Sequence, residues 1–157
     1  MAELPPCGLY RTTREVAGVP AGRLVYFHNH GEPGPGIYLP SGWRANRATW
    51  HARGHLLASP QDAYALEPLE PEGFYVVTEP FACCERRCRL FETDALVQIG
   101  YDAQAEPILF EPEWTERGLG LPDRGVRIDR DRLSKLRRVR VRTPRQDPSV
   151  AEHVSVH

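Results

Sequence analysis

Short apolar runs separated by polar turns recur along this chain, and the clearest such pattern is a β-hairpin over residues 94–114. Two apolar runs, 95–99 and 107–110, flank a polar link at 100–106. The length and composition of the link are typical of a hairpin with an irregular turn. We therefore predict that this hairpin lies in the core of the fold.

A second hairpin is predicted upstream, at 23–40, because a single gapless shift of the sequence superimposes its apolar positions on those of the first. The matched pairs are Leu24 with Leu96, Val25 with Val97, Phe27 with Ile99, Ile37 with Leu109 and Tyr38 with Phe110. Shortening the shift by one position adds Trp43 on Trp114 and Gly54 on Gly125. We expect the two hairpins to share one continuous core. The wider match indicates an internal duplication, and the alternative is a coincidence between strand pairs of similar composition.

The remaining pattern predicts short strands rich in branched and aromatic residues. The predicted strands are 9–13, 23–29, 37–40, 56–58, 74–78, 88–91, 95–99, 107–110, 125–129 and 138–142. We predict a helix over 43–55, a helical turn at 131–136, a connector at 59–72 and a loop at 114–124. The fold class is therefore mostly β, a small barrel or sandwich with one or two short helices. A duplication would instead divide it into two SH3-like halves.

The chain has 157 residues, the length of about one domain, with 15 Pro and 13 Gly placed mainly between the apolar runs. We predict an N-terminal arm at 1–22, a single β-rich domain at 23–145 and a disordered tail at 146–157. The alternative division places halves at 23–58 and 73–145, joined by an acidic, proline-rich connector.

The start of the chain lacks the basic head and apolar stretch of a secretory signal, and no run approaches the length of a membrane span. We therefore expect a cytoplasmic protein whose four cysteines are thiols. Of its 20 basic residues 19 are arginine, which is typical of a GC-rich bacterial gene.

Four of the six histidines form two pairs with the spacing of metal ligands. On a strand, His28 and His30 would point to the same face, and on a helix, His51 and His55 would lie one turn apart. Imidazole pairs of this kind bind zinc and other divalent metals. The alternative is that these histidines are simply exposed in loops rich in glycine and proline.

Three cysteines, Cys83, Cys84 and Cys88, lie within six residues, and three neighbouring arginines are expected to lower the pKa of their thiols. Such thiolates bind zinc or act as redox sensors. The spacing departs from the paired two-residue knuckles of zinc ribbons, so buried or incidental thiols are the alternative. No catalytic serine, cysteine or phosphate-loop motif is present in the sequence.

Charge divides the chain into three segments. Residues 1–59 carry six basic and three acidic side chains, 60–116 carry three and thirteen, and 117–145 carry eleven and three. The basic segment suits an acidic protein surface, a phosphate backbone or anionic lipid. It contains no aromatic residue that could stack on a base, so nucleic acid is the less favoured partner.

These patterns predict a binding or adaptor module without catalytic activity and without a cofactor. Its partner would be a protein with an acidic surface, or a second copy of the chain, met through an exposed strand edge or through a charged face that carries an arginine row at Arg138, Arg140 and Arg142. One alternative is a metal- or thiol-dependent enzyme or sensor that uses zinc at the cysteine cluster and the histidine pairs. Another is nucleic-acid binding through residues 117–145.

Overall fold

The fold is mostly β. The structure, a computed structural model, describes residues 3–31 and 33–142. The strands pair antiparallel in every sheet of this part of the chain. The predicted tail at 146–157 lies outside the described residues.

The strands are short, and two 3-10 helices accompany them. The strands are β1 (Gly8–Thr12), β2 (Leu24–His28), β3 (Gly36–Tyr38), β4 (Pro40–Arg44), β5 (Arg47–Trp50), β6 (His55–Leu56), β7 (Leu66–Pro68), β8 (Gly73–Val77), β9 (Phe81–Ala82), β10 (Leu90–Phe91), β11 (Leu96–Tyr101), β12 (Pro107–Phe110), β13 (Glu113–Thr115), β14 (Gly118–Gly120), β15 (Val126–Arg127) and β16 (Leu136–Arg138). The 3-10 helices are Pro60–Ala65 and Arg130–Lys135. Neither of these described helices is long and apolar enough to cross a membrane.

Two five-stranded sheets organise the chain, one in the N-terminal half (residues 8–68) and one in the C-terminal half (residues 73–138). Their strand orders are β6-β3-β2-β1-β7 and β15-β12-β11-β8-β16. If the strands of each sheet are counted in chain order, both sheets have the order fourth, third, second, first, fifth. A 3-10 helix precedes the fifth strand in each half. The edge strands of each sheet do not pair with each other, so the described residues contain no closed barrel.

Both predicted hairpins form, and their registers correspond. Phe27 lies opposite Ile37 in the first, and Ile99 lies opposite Leu109 in the second. The gapless shift that aligns the two sequences therefore also carries one register onto the other.

The buried side chains form two clusters, so the expectation of one continuous core is wrong. Val25 and Phe27 belong to the cluster of the N-terminal half, whereas Val97 and Ile99 belong to that of the C-terminal half. Leu24 is the exception, because it is fully buried in the cluster of the opposite half. Its backbone N–H also donates to the carbonyl of Ala103, 2.9 Å away. The two halves are therefore tied together.

The predicted helix over 43–55 is a strand hairpin, β4–β5. Ala45 and Asn46 at its turn have φ values of 50° and 65°. Positive φ at both central residues is the signature of a tight hairpin turn, and it interrupts a helix. The predicted loop at 114–124 contains a second such pair, β13–β14, in which Trp114 lies opposite Leu119. The helical spacing of Trp43 and Trp50 was misleading.

Two further predictions need correction. The connector at 59–72 contains a 3-10 helix and β7, which pairs with β1. The strand predicted at 138–142 ends at Arg138, and beyond that residue the N–H of Val139 donates to the Phe74 carbonyl of β8 at 2.8 Å. Alternation with the arginines predicts that Val141 packs into the fold, but Val141 is 63% exposed.

Candidate functional site

The three clustered cysteines lie on the loop that β9 and β10 close at its base. Cys83 is buried, Cys84 is half-buried and Cys88 is exposed. The three sulfur atoms all lie within 4.8 Å of one another, and those of Cys83 and Cys84 are 3.6 Å apart. A tight turn brings Cys88 back, since the N–H of Arg87 donates to the Cys84 carbonyl at 3.0 Å and Arg87 has a φ of 54°.

Hydrogen bonds to sulfur distinguish the three thiols. The backbone N–H of Arg89 donates to the sulfur of Cys83 at 3.3 Å. The S–H of Cys83 and the N–H of Arg86 lower the pKa of Cys84 because they stabilise its thiolate. The pKa of Cys88 is raised, first by its hydrogen bond with Cys84. Cys84 therefore becomes a thiolate more readily than Cys88.

The charges of the neighbouring arginines are not the cause of the lowered pKa of Cys84, contrary to the expectation. Arg89 forms an ion pair with Glu111 across 2.5 Å, so part of its charge is directed away from the thiols. The lowered pKa of Cys84 comes from hydrogen bonds to its sulfur. The cluster can nevertheless offer up to three thiolates to a soft or borderline metal ion.

A second cluster contains His28 and His30, and it adds a ligand that the sequence did not indicate. Gly8 pairs with Phe27, so Cys7 lies across from His28 at the ends of β1 and β2. The three potential ligand atoms of Cys7, His28 and His30 lie within 4.8 Å of one another. The rings of the two histidines are 4.1 Å apart between centroids and tilted by 39°.

The other histidine pair is not brought together on a helix. His51 follows β5 and is exposed, while His55 belongs to β6. The Nδ1 atom of His55 lies 3.2 Å from the Ala17 carbonyl oxygen. The metal-site prediction for this pair assumed a helix, and this segment does not form one.

The turn of the β4–β5 hairpin docks on the C-terminal half. Gln98, which is 2% exposed, donates from Nε2 to the Ala45 carbonyl at 2.9 Å and accepts from the Asn46 side chain at 3.0 Å. The indole N–H of Trp43 donates to the Tyr101 carbonyl at 2.9 Å. These bonds satisfy the polar groups of the turn and of a buried amide together.

Glu72, the residue before β8, supports the same interface. Its carboxylate accepts the backbone N–H of Ala48 at 2.8 Å, and the residue is buried. Burial raises the pKa of Glu72, and the hydrogen bond from Ala48 and the charge of Arg47 oppose that rise only in part.

The corresponding hairpin of the C-terminal half, β13–β14, is exposed. Trp114 is 84% exposed and its cross-strand neighbour Leu119 is 51% exposed. Leu121, after the end of β14, is also exposed. This apolar hairpin face is defined by Trp114, Leu119 and Leu121, and sequence reasoning missed it because the segment had been assigned to a loop.

The predicted arginine row lies at the end of the described chain. Arg138 ends β16, and Arg140 and Arg142 follow the strand; all three are exposed. Their guanidinium groups are thus open to solvent, although the strand expected to align them stops at the first.

Comparison with known proteins gives no relative. No protein-family model, no curated protein and no solved structure matches this chain.

Proposed function

We propose that this chain is a non-catalytic binding protein that contacts a protein partner through the apolar hairpin face of β13–β14. The observation that carries the proposal is the exposure of Trp114, at 84%, beside Leu119 on the facing strand. Tryptophan is among the side chains that contribute most to protein interfaces, because it buries a large area and offers one N–H donor.

The N-terminal half provides an internal example of how such a hairpin binds. There Trp43 occupies the position of Trp114, and its indole N–H donates to a backbone carbonyl of the opposite half. Ala48, across the hairpin from Trp43, packs beside the core of that half. We infer that Trp114 and Leu119 serve a partner in the same way, with a carbonyl acceptor for the indole.

The size of the face indicates the strength of the interaction. Three apolar side chains cover far less than the roughly 1,000 Å² of total buried area that a stable interface needs. The complex is therefore transient, or the partner has a second contact. The exposed Arg138, Arg140 and Arg142 supply charge that an acidic partner surface would complement.

The experiment is site-specific photo-crosslinking from position 119 in the cell of origin, followed by titration of the purified partner against the chain. Trp114→Ala should weaken that binding by about tenfold or more, as the loss of an anchor residue does. Tyr64→Ala is the matched control, because Tyr64 is 76% exposed on the other half. Equal affinity of the Trp114 variant and the parent for every crosslinked protein would refute the proposal.

The arginine row has its own test in the salt dependence of the same complex. Replacing Arg138, Arg140 and Arg142 by Glu should weaken binding at low salt and have little effect at about 0.5 M salt, where charges are screened over a few ångströms. Sedimentation of the chain alone at both salt concentrations tests the alternative partner, a second copy. A parent-like affinity of the triple variant at low salt would contradict the predicted role of the row.

We also propose that the two halves arose by internal duplication and that each is SH3-like. Three features support this: the common strand order, the repeated hairpin register and a pair of matched hydrogen bonds. Tyr10 donates to the Pro6 carbonyl and Tyr75 to the Pro71 carbonyl, each at 2.7 Å over four residues. Both tyrosines belong to a Leu-x-Pro-x-Gly-x-Tyr sequence, at 4–10 and 69–75.

A metal-dependent function is the second candidate, and the convergence of Cys83, Cys84 and Cys88 favours it. Thiolates on one tetrahedral zinc ion would have sulfur atoms about 3.8 Å apart at the usual bond length, close to the 3.6 Å between Cys83 and Cys84. Elemental analysis of protein purified without a histidine tag tests it. Zinc that is present in the parent and lost on replacing all three cysteines by Ser would support the site; a metal-free parent that also binds no added zinc would exclude it.

A further inference from the structure

We propose that Cys7, His28 and His30 form a separate binding site for a divalent transition metal, with zinc as the best-matched ion. One thiolate and two imidazoles are the donor set that zinc and cobalt share. The inference is independent of the hairpin face and of the cysteine cluster on the β9–β10 loop, since it uses none of their residues.

The spacing of the ligand atoms fits a tetrahedral ion. The sulfur of Cys7 lies 3.8 Å from the Nδ1 atom of His30. A thiolate and an imidazole on one zinc ion would place these atoms about 3.6 Å apart at the usual bond lengths. All three ligand atoms already lie within 4.8 Å of one another, so a metal ion would require only small side-chain adjustments.

The backbone holds the sulfur atom of Cys7 in place. The N–H of Asn29 donates to this sulfur at 3.3 Å. The Asn29 side chain is held in turn, because its Nδ2 group donates to the Pro5 carbonyl at 3.2 Å. Pairing of β1 with β2 places Cys7, the residue before β1, across from His28, the last residue of β2, so the sheet positions two of the ligands.

Two polar hydrogens converge where the metal would bind. The S–H of Cys7 donates to the Asn29 Oδ1 atom at 3.2 Å, and the Nδ1 atom of His30 lies 2.8 Å from the same oxygen. A metal ion would replace both interactions: the thiol releases its proton, and His30 carries its proton on Nε2. The exposed position of His30 leaves a path for the ion and a fourth coordination position for water.

The same residues do not fit a catalytic cysteine, histidine and asparagine. In such a site the histidine uses one ring nitrogen for the thiol and the other for the residue that orients it. Here Nδ1 of His30 faces both Cys7 and Asn29. Asn29 therefore cannot orient the ring toward the thiol, and His28 is left without a role.

The test uses the full chain in which Cys83, Cys84 and Cys88 are replaced by Ser, with Co²⁺ as a spectroscopic probe and Zn²⁺ as its competitor. We expect one equivalent of Co²⁺ to bind with a thiolate-to-metal charge-transfer band, and Zn²⁺ to displace it. Cys7→Ser should abolish that band, and His30→Ala should lower the affinity at least tenfold. His51→Ala is the matched control, an exposed histidine outside the cluster, and should leave both unchanged.

If the triple cysteine variant does not fold, the parent chain supplies the second measurement. Cys7→Ser should then lower the zinc content of the parent at saturation by one equivalent. No Co²⁺ binding by a folded triple variant, or a charge-transfer band that survives Cys7→Ser, would overturn the inference. So would an unchanged zinc content of the parent on Cys7→Ser.

Discussion

Replacing Gly100 by Ala should shift or separate the turn of the β4–β5 hairpin, which docks on β11. A Cβ atom at position 100 would lie 2.7 Å from the Asn46 carbonyl oxygen, which belongs to the backbone of the turn. It would also lie 3.0 Å from the ring of Phe110, which can move more easily. The turn, and not a flexible side chain, must therefore be displaced.

The loss in the free energy of unfolding on Gly100→Ala has a lower and an upper limit. If the turn shifts but remains docked, overpacking costs about 1 to 3 kcal/mol. If the turn separates, it loses the hydrogen bonds of Trp43, Asn46 and Gln98 with their partners, at about 1 kcal/mol each. Alanine offsets about 0.5 to 1 kcal/mol of this, because it reduces the entropy of the unfolded chain. With the smaller offset, we expect the free energy of unfolding to fall by about 0.5 to 3.5 kcal/mol.

Urea unfolding followed by circular dichroism measures this change. Gly42→Ala is the matched control: Gly42 lies in a strand of the same hairpin, and its added Cβ would meet only the Thr49 hydroxyl at an ordinary 3.6 Å. That variant should keep the parent stability or gain up to about 1 kcal/mol.

A double-mutant cycle with Asn46→Gly identifies the cause. Glycine accepts the φ of 65° at position 46 but removes the two hydrogen bonds of the Asn46 side chain. If the Gly100 variant displaces the turn, Asn46→Gly should cost less in that background than in the parent. Strict additivity, or equal stabilities of the Gly100 and Gly42 variants, would refute the reasoning.

Three other predictions concern the core and the two halves. Tyr10→Phe and Tyr75→Phe should each lower the free energy of unfolding by about 1 kcal/mol in urea, since their matched hydrogen bonds are equally long; a loss confined to one of them would argue against equivalent halves. Glu72→Gln should be more stable than the parent at pH 7, because burial raises the pKa of Glu72 above 4.5 and disfavours its charged form. As the pH falls through the raised pKa, protonation of Glu72 stabilises the parent. Thermal melts should therefore show the stability advantage of Glu72→Gln over the parent shrinking toward about pH 4. Val97→Ala, at a fully buried position, should cost about 2 to 4 kcal/mol in urea, and a loss below about 0.5 kcal/mol would place the hairpin outside the core.

Sequence patterns predicted the central strands well because burial determines them. Val97 and Ile99 lie in a long apolar run, and the gapless shift that aligns this run with the upstream hairpin also aligns the registers. The β4–β5 and β13–β14 hairpins escaped prediction because tertiary contacts hold them. Trp43 and Trp50 have helical spacing, yet a turn at Ala45 and Asn46, held by Gln98, separates them.

The candidate sites were predictable only where their residues are close in sequence. The cysteine cluster is local, so the spacing alone indicated it. Cys7 joins His28 and His30 across more than twenty residues, and only the pairing of β1 with β2 brings them together. The repeated Leu-x-Pro-x-Gly-x-Tyr sequence at 4–10 and 69–75 was a signal that could have matched β1 with β8 in advance, but it does not show which strand pairs with β1.

The burial of Leu24 in the cluster of the C-terminal half has a consequence for folding during synthesis on the ribosome. Synthesis proceeds from the N-terminus, so β2 and the β4–β5 hairpin emerge before the strands that cover them. Leu24 and Trp50 pack against residues between Tyr75 and Ile128, which are translated later. The first half consequently cannot reach its final packing on its own, and a nascent chain paused before β11 would present this apolar surface to chaperones.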